Sequence, residues 1–175
     1  DRFQGPDSEN HPAGGSSNVT VADDVPSLED VAAGDDVTVD ETSAFPASNT
    51  SVDPVIDYTA VFGADGPAAG DPVYGLSIVG GNGTDSGLQT TDGNHAITLH
   101  LVGNMIEGRY EDGGTQVAFT VEMNADGTVT LTQNVALNHG EDGGPAPTDH
   151  NDALDLSGLI NATVTITDGD GDSVT

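Results

Sequence analysis

Near one end of the chain stands the run Asp168-Gly169-Asp170-Gly171-Asp172-Ser173. Carboxylates at alternate positions, separated by glycines, let a tight loop turn several oxygens toward one point. A hard cation that takes roughly six to eight oxygen ligands is wrapped in that way. The spacing matches the opening of an EF-hand loop, but the closing bidentate glutamate and the flanking helices are missing. The completing ligands would therefore come from another loop or from a following repeat. The bland alternative is a solvated acidic turn.

Other acidic groups stand at Asp23-Asp24, at Asp35-Asp36 with Asp40-Glu41, and along HGEDGGPAPTDHND over 139–152. Each taken alone is as readily a solvated turn as a ligand set. In the long loop, Asp149 and Asp152 are the first choices as ligands. His11, His95, His100, His139 and His150 are scattered without an H-x-x-x-H spacing, so a zinc-type site has nothing to gather its nitrogen ligands. His100 is expected at an exposed strand position, and His139 and His150 in hydrogen bonds within their loop.

Hydrolytic chemistry finds little footing. Ser86 lies in GTDSGL, a loose likeness of a nucleophile motif without the strand, sharp elbow and helix that such a serine requires. Trp is absent and Tyr numbers 3, which leaves few platforms for stacking a glycan over a carboxylate pair. The expectation is a protein that is not an enzyme.

Charge narrows the partners further. Lys plus Arg total 2 against 30 Asp plus Glu, a formal charge of −28. Phosphate backbones and anionic membrane surfaces are held by basic side chains, so both would be repelled. Divalent cations would be attracted, and bound metal would relieve the self-repulsion that otherwise opposes a compact state. Ca2+ is the expected cofactor. Cysteine is absent, which removes disulfides and thiolate metal sites together. No apolar stretch of about 18 residues and no basic, then apolar, leader is found, so neither a membrane span nor a classical signal peptide is expected. An export address would then lie elsewhere in a longer polypeptide.

The elements that must position these groups are strands. Ile97, Leu99 and Leu101 alternate with Thr98 and His100; Val117, Phe119, Val121 and Met123 form a second such set; Val129 and Leu131 alternate with threonines; and so do Val164 and Ile166. A period of two marks half-buried strands, with threonine suited to the wet face. Gly103-Asn104, Asp112-Gly113-Gly114 and Asp126-Gly127 read as the turns between them. Further strands are expected over 37–41, 58–62 and 73–79. With no amphipathic helix in view, the list predicts an all-β, antiparallel β-sandwich of Greek-key or immunoglobulin-like type with roughly seven to nine strands. Residues 1–20, polar and rich in Gly, Pro and Ser, read as linker or tail, and 21–175 as a single module.

Two runs, 73–143 and 156–175, carry a resemblance. In order they hold Tyr74-Gly75-Leu76, Gly83-Thr84-Asp85-Ser86-Gly87-Leu88, an aliphatic strand, Gly108-Arg109, Phe119-Thr120-Val121, Gly127-Thr128-Val129-Thr130-Leu131-Thr132-Gln133, an acidic His-bearing loop and Thr167-Asp168-Gly169-Asp170-Gly171-Asp172. The pattern resembles the repeat modules of giant repeats-in-toxin adhesins exported by type I secretion. That resemblance implies a β-sandwich extender on the outside of a bacterial cell, strung to neighbouring repeats of one polypeptide and stiffened by calcium. Its service would be cell attachment or biofilm formation, as a monomeric unit. Position by position, Asp168, Asp170 and Asp172 match the terminal calcium-binding turn, and Asp23-Asp24 before Val25-Pro26 matches the junction after a previous repeat. The loop with Gly143-Gly144-Pro145 and His150 departs from the pattern. Its length favours the competing function, a calcium-dependent domain that binds a surface glycan or peptide, because binding concentrates on loops.

Overall fold

The computed structural model describes residues 24–39, 44–138 and 156–175. They are all-β and antiparallel, in eleven strands where roughly seven to nine were predicted. The first is β1 (Ser27–Ala33), which pairs with β3 (Ile56–Val61) in a two-stranded sheet. A three-stranded sheet has the order β11 (Ser173–Val174), β10 (Ile160–Thr167), β4 (Val73–Ile78). The large sheet runs β2 (Ala47–Thr50), β9 (Val129–Gln133), β8 (Thr115–Met123), β7 (Met105–Glu111), β6 (Ala96–Val102), β5 (Thr84–Gln89). From β5 to β9 the large sheet is a meander. The chain then returns to the other layer, laying β10 beside β4. Such a non-local return is what a Greek-key connection requires.

The three predicted turns fall between consecutive strands. Val102 pairs with Met105 around Gly103-Asn104, Glu111 with Thr115 around Asp112-Gly113-Gly114, and Met123 with Val129 around the turn that contains Asp126-Gly127. Residues 37–39, by contrast, join no strand. Val37 instead packs against the core, and the Thr38 carbonyl accepts the Asn49 side-chain amide at 2.8 Å. The rest of that expected strand, 40–41, lies outside the described residues, as does the expected linker 1–20.

The sandwich core is built from the alternation. Ile97 and Leu99 of β6, Ile106 of β7, Phe119, Val121 and Met123 of β8, Val129 of β9 and Leu76 of β4 form one buried cluster. Each such side chain contributes about 1.5–3 kcal/mol on leaving water. The alternation breaks once. In the pairing of β7 with β8, Gly108 stands opposite Phe119 and Arg109 opposite Val117, so Ala118 is an extra residue, a β-bulge. Both Ala118 and Phe119 are thereby buried in succession, and Val117 is left half-buried. A bulge turns the strand in this manner. A second cluster of Ile56, Val164 and Ile166 lies between β3 and β10, with Leu28, Tyr58, Phe62 and Val174 against it.

The wet faces are stitched by hydroxyls. Ser48 meets Thr132 at 2.9 Å and Thr50 meets Thr130 at 2.8 Å across β2 and β9, and Thr165 meets Thr175 at 2.8 Å. Branched threonines thus satisfy strand preference and pair across it.

Candidate metal centre

Strand β10 sets the site. Val164 and Ile166 point inward, and the same period of two carries the next even-numbered side chain, Asp168, inward as well. Asp168 is 1% exposed. An ionised carboxylate in that position is costly unless its oxygens are bound. One oxygen is: Oδ1 accepts the backbone N–H of Asp172 at 2.8 Å and of Gly171 at 3.1 Å. These bonds, with Asp168 N–H donating to the Asp172 carbonyl at 3.0 Å, close the turn that leads into β11. The other oxygen, Oδ2, is buried with no hydrogen-bond partner.

Asp170 and Asp172 stand close to the same side chain. One carboxylate oxygen from each of Asp168, Asp170 and Asp172 lies within 4.8 Å of the other two. Calcium–oxygen bonds are about 2.4 Å long, so an ion seated among oxygens spans about that distance. Hydrogen bonding shared with the Asp170 side chain, then donated by the Asp172, Gly171 and Asp170 backbone, holds the Asp168 carboxyl below its ordinary value, against the upward push of burial. The ionised form is the one a cation needs. The donor set is all oxygen, which suits calcium or magnesium and not zinc or copper. An orphaned buried carboxylate oxygen beside two further carboxylates is the observation that fits a hard dication here.

A second segment packs on this turn. In the loop from β3 to β4, Ala68 N–H donates to the Thr167 carbonyl at 2.9 Å, and Pro67 bridges Asp168. The Asp71 carboxylate accepts Thr167 N–H at 2.8 Å. Gly169 lies against Asp65, whose carbonyl oxygen would be 2.6 Å from a Cβ at 169. Only glycine fits the turn at that approach.

The remaining expected ligands fare differently. Asp24 is exposed, with its carboxylate against Gly63 and outside the three-aspartate group. Asp23, Asp149 and Asp152 lie outside the described residues, as do Asp40, Glu41, His11, His139 and His150. Asp35 serves as a clamp: Oδ2 accepts Val52 N–H at 2.7 Å and Asp53 N–H at 3.1 Å, and Oδ1 accepts Asp36 N–H at 3.0 Å. His100 is half-buried instead of exposed, with Nε2 3.0 Å from the Thr98 hydroxyl. His95 stacks at a tilt on Tyr110. Ser86 is buried; its hydroxyl donates to the Ile97 carbonyl at 2.7 Å and accepts Leu88 N–H at 3.2 Å, which holds the irregular pairing of β5 with β6.

Over residues 36–175 the sequence matches a family described as a domain of unknown function, DUF5801. The chain belongs to the DUF5801 family. No curated protein and no solved structure matches it. The matched span of this DUF5801 domain contains the aspartate turn, the β3–β4 loop packed on it and the whole large sheet.

Proposed function

We propose that this DUF5801 domain is a calcium-stabilised extender module of a large bacterial surface adhesin. Its product is length and stiffness between neighbouring repeats of one exported polypeptide, outside the cell, in the service of attachment or biofilm formation. The observation that carries the reading is the buried Asp168 carboxylate, whose Oδ2 lacks a partner while Asp170 and Asp172 offer oxygens beside it. The charge of −28 supports it, because dications among the carboxylates offset their mutual repulsion. So does the resemblance of 73–143 and 156–175 to repeats-in-toxin adhesin modules. In calcium-poor cytosol the chain would be loosened by its own charge, which suits export unfolded, and calcium outside would fold it.

Thermal melts followed by circular dichroism, with calcium and with chelator, test the reading. A midpoint that rises with calcium supports it; identical midpoints reject it.

A further inference from the structure

The three aspartates of the turn come from one short segment, and such a group leaves a hard cation under-coordinated on its open side. Asp65 stands there. Its main-chain oxygen would lie 2.6 Å, and its Cβ 3.5 Å, from a Cβ built on Gly169, the residue between Asp168 and Asp170. The Asp65 side chain is exposed and stands outside the three-oxygen group. Its backbone is fixed there by the bridge of Pro67 to Asp168 and by the Ala68 N–H bond to the Thr167 carbonyl.

We propose that Asp65 supplies a fourth carboxylate to the cation held by Asp168, Asp170 and Asp172, so that the ion ties the β3–β4 loop to the β10–β11 turn. The proposal rests on the calcium reading above and adds the ligand from a second segment. It follows from the buried, unpartnered Oδ2 of Asp168, which marks the cation's position, and from the packing of Asp65 on the adjacent glycine. Without the ion nothing offsets the repulsion among these four carboxylates. With it they share one counter-charge.

Titration calorimetry with calcium chloride on the whole chain tests this, comparing the parent with Asp65→Asn and with Asp112→Asn, an exposed carboxylate in the β7–β8 turn. The expected result is roughly tenfold or more weaker binding for Asp65→Asn, as for lost coordination-sphere partners, and a change within about twofold for Asp112→Asn, which removes the same charge far along the chain. Hydrogen exchange at the Ala68 amide slows with calcium in the parent and not in Asp65→Asn. Tight binding by the parent with equal affinities for the two variants overturns the role of Asp65 and leaves the calcium reading standing. No heat and no retained calcium in the parent overturns both.

Discussion

The ring of Phe119 on β8 occupies the space above Gly108 on β7 where a side chain would stand, so the two strands meet through a glycine and a phenyl group. Phe119 is 2% exposed, and its place follows from the extra residue at Ala118. A methyl at 108 has to displace a ring that the core holds on its other sides. Gly108→Ala is expected to cost about 1–3 kcal/mol through overpacking. Urea denaturation would show a lower midpoint at unchanged slope. An unchanged midpoint would mean that the ring has room to move.

Removal of calcium is expected to lower the melting temperature of the parent. At calcium about 100 times above the dissociation constant, one ion contributes about 2.7 kcal/mol. For a chain of this size that corresponds to about 5–10 °C. Asp168→Asn keeps an oxygen for the Gly171 and Asp172 amides and loses the charge, so its melting temperature should be the same with calcium and with chelator. Differential scanning calorimetry of both proteins in both buffers checks this.

The acid limb of stability has identifiable contributors. Asp35 is held below its ordinary value of 3.8 by the Asp53 and Val52 amides, with a smaller contribution from Asp36; Asp126 by the Thr128 hydroxyl and then its amide. A depressed folded value means that the stabilisation is complete above pH 3.8 and is lost as pH falls through the folded values. Asp35→Asn should therefore be less stable than the parent at pH 7, by an amount that shrinks below pH 3.8, where the parent's own carboxyl becomes neutral. Denaturant melts at a series of pH values in chelator measure the gap. A gap that does not change with pH would show that the clamp works without its charge.

At high pH the relevant group is Tyr58. Burial, and then the Tyr74 hydroxyl 3.2 Å away, push it up to about 12 from an ordinary 10. The sign is opposite to that of the carboxylates: stability is complete below pH 10 and is lost as pH rises toward 12. Ultraviolet titration should show a late tyrosine step near pH 12 that belongs to Tyr58. Tyr58→Phe should remove that late step and flatten the alkaline loss. The same late step in Tyr58→Phe, or none in the parent, would contradict this.

Much of the large sheet was legible because its strands are half-buried and its turns carry their own chemistry. Gly103-Asn104 permits the tight reversal that joins β6 to β7, and Ile97 with Leu99 could face only inward. The aspartate turn was legible for the same local reason, since alternate carboxylates separated by glycine need no distant partner to be noticed. What depends on distant pairing was not. The short β2 is a strand because β9 lies beside it, and its Ala-Ser-Asn-Thr has no strong preference of its own. Residues 37–39 carry the β-branched texture of a strand and pair with none. The bulge at Ala118 hides inside a regular-looking alternation. Asp35 and Asp65 are ordinary loop aspartates in sequence; only the fold brings one to the 52–53 amides and the other to Gly169.

The cross-strand hydroxyl pairs at Ser48–Thr132, Thr50–Thr130 and Thr165–Thr175 are electrically neutral. Arg109 is the sole Lys or Arg among the described residues. Ionic strength consequently acts mainly in one direction on the interactions between the side chains of this surface. Raising it from about 0.1 M to about 1 M shortens the screening length from about 10 Å to about 3 Å, which quiets repulsion between carboxylates and has almost no attractive pair to weaken. The same stitching that holds in dilute buffer holds in brine.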